Sequence, residues 1–167
     1  ISLGDPASIT DHEVRREYGE GLARFQKDEY GEATVHFRSI VSQEPKSAEA
    51  WHMLGISLRG SGQVEEAIQA LHRAYQLQPF WIDNLGNLAL FHHFQKHYDQ
   101  ARQYLEQILE IDPFAEPAIY WLARVYDDKN DYCHSLEFWG RYLDLDPRNG
   151  RAWGQYGFIL TQLNLLE

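Results

Sequence analysis

Hydrophobic positions recur along this chain at two scales. Over short windows they fall at helical spacing, as in Trp51, Leu54 and Leu58 or in Ala67, Leu71 and Ala74. That spacing marks amphipathic helices rather than strands. Each such stretch covers about three turns, long enough for a packed helix and too short to be stable alone. Over longer windows the pattern itself repeats. Pro45, Pro79, Pro113 and Pro147 stand 34 residues apart. So do Tyr30, Val64, Tyr98 and Tyr132; Ala33, Ala67, Ala101 and Ser135; and Phe37, Leu71, Leu105 and Trp139. A column of small residues, Gly21, Gly55, Ala89, Ala123 and Gly157, keeps the same interval. A period of this length marks stacked units, none of which buries its apolar face alone.

Within a unit, small residues such as Gly55, Ala67 and Ala74 let two helices approach closely. The turn between them falls at Asp28, Gly62, Lys96 or Asn130, and Gly and Asn suit a left-handed helix end. Each periodic proline stops the second helix or opens the next connection. Pro117 lies early in its helix, where a missing N–H costs little. Thr10-Asp11-His12-Glu13 reads as a capping box that starts the first helix. Residues 1–9, with Gly4, Asp5 and Pro6, then form a loose lead-in.

The run Trp51-x-x-Leu54-Gly55-x-x-Leu58, followed by Ala67, Leu71, Ala74 and Pro79, resembles the tetratricopeptide repeat (TPR) family. The resemblance covers Val14 to Glu167, as four repeats (14–47, 48–81, 82–115 and 116–149) and a half-repeat (150–167) with Trp153, Tyr156 and Gly157 at signature positions. The first repeat departs from the pattern at Glu17 and Glu20, as a solvated terminal repeat would. The fourth departs at Ser135, Trp139 and Tyr142. The resemblance implies an all-α fold, a right-handed α-solenoid of helix-turn-helix repeats with a concave and a convex face.

In that family the first helix of each repeat lines the concave groove. Carried over column by column, the groove residues here are Tyr18, Leu22, Phe25, His52, Met53, Ile56, Arg59, Asn87, Leu90, His93, Phe94, Tyr120, Trp121, Arg124 and Phe158. The aromatic and aliphatic members form a strip that suits burial of a partner's apolar or amphipathic peptide segment. Arg59, Arg124 and Arg151 would orient it, and His52 and Asn87 would hydrogen-bond its backbone. A second reading keeps the same strip as packing beneath neighbouring helices. The clamp by which some family members hold a chaperone tail needs inward cations. Tyr18, Leu22, Met53, Asp83 and Asn87 stand at those places instead, so that mode is not expected.

Composition changes this picture little. Fourteen per cent aromatic residues is too rich for a disordered acidic chain. The chain carries 15 basic and 25 acidic residues, for a net charge of −10, which disfavours nucleic-acid binding as the main task. On the inward columns Arg15, Arg59, Arg124 and Arg151 balance Glu49, Asp83, Asp127 and Asp128, so the acidity belongs to the outer surface. Apolar runs are too short to span a bilayer.

No catalytic, metal or cofactor site is expected. His93 and His97 have helical spacing, but a turn falls at Lys96, and the lone Cys133 has no partners for a cysteine metal site. Arg59-Gly60-Ser61-Gly62 lacks the Lys and the preceding strand of a phosphate loop. Asp127 and Asp128 read as a solvated pair at a helix end. The final helix, with Phe158, Ile159, Leu160, Leu163, Leu165 and Leu166, is apolar on more than one side. Continuation of the chain is the first expectation and a homodimer through this helix the second. The chain opens on Ile1 rather than Met, as a cut or processed piece would. The functional expectation is a protein–protein interaction scaffold. The alternatives are a substrate-recruiting, non-catalytic part of a larger enzyme and a self-assembly module.

Overall fold

A computed structural model describes residues 6–164, with side chains from His12 onward. Among these residues the regular structure is entirely helical. In chain order the elements are α1 (Pro6–Phe25), α2 (Tyr30–Gln43), α3 (Ala48–Gly60), α4 (Val64–Leu77), α5 (Ile82–Phe94), α6 (Tyr98–Ile111), α7 (Glu116–Asp128), α8 (Tyr132–Leu145) and α9 (Gly150–Gln162).

The turns repeat in backbone detail. Asp28, Gly62, Lys96 and Asn130 all take positive φ, at 60°, 81°, 61° and 56°. The residue after each donates its N–H back across the turn: Glu29 to Arg24 O at 3.0 Å, Gln63 to Leu58 O at 2.9 Å, His97 to His92 O at 2.8 Å and Asp131 to Tyr126 O at 2.9 Å. This is the Schellman closure, which satisfies carbonyls orphaned at a helix end. A left-handed residue with a Cβ costs about 1–2 kcal/mol, so at Asp28 and Lys96 these bonds offset real strain. α9 ends on the same turn, with Asn164 at φ 52° and its N–H on Thr161 O.

Helix starts are equally local. The Ser47 side chain accepts from the Ala50 N–H at 3.2 Å, and that of Asn149 from Ala152 N–H at 3.1 Å. Just inside each, an indole N–H reaches back to a proline carbonyl, Trp51 to Pro45 at 3.0 Å and Trp153 to Pro147 at 2.9 Å. Pro117 sits in the first turn of α7. The start of α1 differs from expectation. The helix runs from Pro6, so Thr10 lies inside it and residues 10–13 do not cap its beginning. Residues 1–5 of the expected lead-in, and the side chains of Thr10 and Asp11, lie outside the described residues, as do Leu165 and Leu166.

The chain divides into two compact units, residues 1–84 and 85–167. In the first, α1 packs on α2, α2 on α3 and α3 on α4. Ala33, Phe37, Ala67 and Leu71 are wholly buried there. Close approach depends on the two glycines. A Cβ on Gly21 would lie 3.1 Å from the Phe37 ring, and one on Gly55 would lie 2.6 Å from Leu71 Cγ. In the second unit, α6 packs on α7, α7 on α8 and α8 on α9. Ala101, Ile119, Leu122, Ala123, Ser135 and Trp139 form its interior.

Candidate interaction surface

In the first unit most expected groove residues are committed to packing. The Tyr18 hydroxyl donates to Glu49 Oε1 at 2.6 Å, and its ring sits edge-on to Phe37 at 5.6 Å. Burial, with the Glu49 carboxylate beside it, raises the phenol well above its ordinary pKa. Phe25 packs edge-on against Tyr30 at 5.3 Å, and the Tyr30 ring covers Gly60. Leu22, Met53 and Ile56 are half-buried, while Arg59 is exposed.

His52 is buried and does not present itself to a ligand backbone. Asn84 fixes its state. The Asn84 amide donates from Nδ2 to Leu71 O at 3.0 Å, which turns Oδ1 toward His52 Nδ1, also at 3.0 Å. An amide oxygen only accepts, so Nδ1 carries the hydrogen. Burial lowers the pKa of this imidazole, outweighing the hydrogen bond it donates to Asn84, and the ring stacks at a tilt on Trp81 at 4.3 Å.

The second unit places its candidates differently. α5 carries Asn87, Leu90, His93 and Phe94, and α7 carries Tyr120, Trp121 and Arg124. Trp121 meets His93 at 5.1 Å, Phe94 at 6.1 Å and Tyr120 at 5.5 Å, each near edge-to-face. This is the arrangement ring quadrupoles favour. Tyr120 packs inward on Trp139 at 5.4 Å, whereas Phe94 stands 71% exposed. His93 Nε2 donates to Asp128 Oδ2 at 2.7 Å, which fixes the imidazole beneath the rings. Asn87, Leu90 and Arg124 are half-buried, and Phe158 is exposed on α9.

Asp127 is not the solvated carboxylate expected beside Asp128. It accepts from the Ser135 hydroxyl and, at 3.0 Å, from the Trp139 indole N–H. Burial raises its pKa, opposed by those two donors. Tyr142 and Asn149 extend the polar packing, with the Tyr142 hydroxyl donating to Glu116 at 3.2 Å and accepting from Asn149 at 3.3 Å.

A cavity of about 500 Å³ opens in the first unit, floored by Val41, Leu54 and Leu58 and rimmed by Arg38, Glu66 and Arg73. The column carry-over missed it because it is lined largely by second helices. Its sequence signal is Trp51, which also lines it. Among the described residues there is no cluster of three or more His, Cys, Asp and Glu able to hold a metal ion. None of the described helices is long and apolar enough to cross a membrane. Cys133 is exposed.

The nine helices among the described residues, joined within each repeat by one recurring turn, define a helical-repeat scaffold. The family model for the cytochrome c-type biogenesis protein H TPR domain matches residues 15–153. The chain belongs to this tetratricopeptide-repeat family, a family of protein-interaction scaffolds. It is similar to the peroxisomal targeting signal receptor of Saccharomyces cerevisiae, at 35% identity over 111 residues, 66% of this chain and 18% of the yeast protein. It is also similar to the human PEX5-related protein, at 29% identity over 96 residues, 58% of this chain and 15% of that one. The chain thus spans less than a fifth of the length of these curated relatives. Among solved structures, the MamA protein aligns with a TM-score of 0.85 at 18% identity, covering 91% of this chain and 83% of MamA. PilF of Pseudomonas aeruginosa aligns with a TM-score of 0.76 at 19% identity, covering 92% and 70%. These likenesses are of fold, the all-α TPR solenoid.

Proposed function

We propose that this chain is a non-catalytic module that holds an apolar segment of a partner protein against the α5–α7 ring cluster. The observation that carries this reading is Phe94, 71% exposed yet braced edge-on by Trp121, which His93 and Tyr120 hold in turn. An exposed aromatic held rigid by its neighbours loses little side-chain freedom on binding. Such anchors dominate the energetics of small interfaces. Asn87, Leu90 and Arg124 on the same helices supply the polar and aliphatic margin. The yeast relative is named as a receptor for a targeting signal, which favours a peptide over a folded surface as the ligand. With a net charge of −10 the chain is a poor match for nucleic-acid phosphates, so the reading is confined to protein partners.

Affinity capture from the native cell extract tests it, comparing the natural chain with Phe94→Ala/Trp121→Ala. Loss of captured partners with unchanged helical circular dichroism is expected. An identical captured set from the folded double variant overturns the reading. A second reading, self-association through α9, is favoured by Trp153, which stands 52% exposed.

A further inference from the structure

The cavity of about 500 Å³ in the first unit has no part in the ring-cluster reading. α2 supplies one wall and α4 the other, and Trp51, Leu54 and Leu58 of α3 close the bottom between them. The volume falls within the range of about 300–1,000 Å³ usual for ligand pockets. Arg38, Ser42, Glu66, Gln69 and Arg73, half of the lining, are exposed, so the cavity is a trough open to solvent. Its bottom is firm, because the Trp51 indole is held by its bond to Pro45 O at 3.0 Å.

The two ends of the trough differ in charge. At one end Arg38 of α2 donates to Glu66 Oε2 of α4 at 2.5 Å, and the two charges cancel. Arg73 follows Glu66 by seven residues, two helical turns or about 10 Å further along α4. It donates to Gln76 Oε1 at 3.0 Å, a neutral amide, and pairs with no carboxylate among the described residues. The chain as a whole carries a net charge of −10. Here an uncompensated guanidinium instead stands beside an apolar bottom, and the charge that complements it is negative.

We propose that this trough is a second peptide site, taking a partner segment in which apolar side chains lie beside a carboxylate. The apolar side chains enter over Val41, Leu54 and Leu58. The carboxylate pairs with Arg73, whose planar fork matches both of its oxygens. An open trough leaves the outer side of its ligand in water. That suits a segment of a longer chain, and not a small acid, which needs most of its surface buried. Glu66 opposes such a segment directly and also competes with it for Arg38. The site lies wholly in the first unit, so it stands or fails apart from the α5–α7 ring cluster.

Selection from a displayed library of random short peptides tests the proposal. The bait is the chain carrying Phe94→Ala/Trp121→Ala, so that the ring cluster takes no part. Enriched peptides are expected to place Asp or Glu beside Leu, Ile or Phe. By isothermal titration calorimetry their affinity falls about tenfold or more with Arg73→Glu. It rises with Glu66→Gln, which removes the opposing charge and releases Arg38. Arg73 and Glu66 are both exposed, so circular dichroism of the two variants matches that of the natural chain. Exchanging the carboxylate of the peptide for Lys restores binding to Arg73→Glu, a rescue that a purely structural Arg73 would not give. No enriched peptide, or enriched peptides indifferent to Arg73→Glu, overturns the proposal. Saturable binding of octanoate with no peptide enriched gives the trough to a small acid and overturns it as well.

Discussion

Leu71 in the second repeat and Trp139 in the fourth occupy the same column, and both are buried. Their neighbours differ in chemistry. Leu71 needs only room, which Gly55 provides. Trp139 brings an N–H that must find an acceptor in a dry place, and Asp127 supplies it while also accepting from Ser135. Ser135 stands where the second repeat has Ala67. One backbone plan thus closes with aliphatic packing in one place and a hydrogen-bonded aromatic in another. The repeat constrains volume and direction, and leaves the choice of contact open as long as polar groups are satisfied.

Cutting away each filler separates the two solutions most sharply. Trp139→Ala removes a large buried ring and a donor to Asp127, at an expected cost of about 3–5 kcal/mol in urea unfolding. Leu71→Ala removes less volume and leaves no polar group stranded, at about 2–5 kcal/mol. The two costs overlap, so Trp139→Leu is the sharper test. It keeps apolar bulk while leaving Asp127 one donor short, and a cost below about 1 kcal/mol would show that the indole bond contributes little.

The glycine column gives the next effect. Gly55→Ala drives a Cβ into Leu71 and costs about 1–3 kcal/mol. Gly157→Ala at the same column of α9 meets open space and gains helix propensity, so a stabilisation of up to about 1 kcal/mol is expected in the same assay.

Acidity separates the two repeats in opposite directions. The folded chain lowers the pKa of His52, so the neutral imidazole is the form it favours. That contribution is full above the ordinary value of 6.5 and is lost as pH falls through the depressed one. The folded chain raises the pKa of Asp127, so its contribution is full below the ordinary value of 3.8 and is lost as pH rises through the raised one. Stability measured against pH for the natural chain minus His52→Asn should therefore fall on acidification below 6.5. The difference against Asp127→Asn should instead grow as the medium becomes acidic. Parallel slopes for the two would break the contrast. The smallest effect is at Phe94, where Ala should change stability by no more than about 0.5 kcal/mol because the ring is exposed.

The register of the helices was legible because one interval carries turn, proline and small-residue columns together. The turn at Lys96 shows that the interval outweighs residue preference, since lysine is not a favoured left-handed residue. The start of α1 was not legible, because helical backbone continues through a sequence that also suits a cap. The candidate surface was legible in part. Tyr18 and His52 stand in the same column as Tyr120, and Phe25 in the same column as His93, yet Glu49, Asn84 and Tyr30 engage them. A column says which way a side chain leaves its own helix and nothing about what meets it there. Asp127 was missed for a related reason. Its signal was the pair Ser135 and Trp139, two donors in columns where the other repeats have none.

The bond from a proline carbonyl to an indole N–H, made by Pro45 with Trp51 and again by Pro147 with Trp153, occurs beside a Ser or Asn cap in both places. Each joint carries everything its helix needs to begin, so it works as a unit of assembly. A chain cut at one joint and rejoined at the other would keep its cap, its clasp and its register, and arrays of different length become matters of splicing rather than redesign.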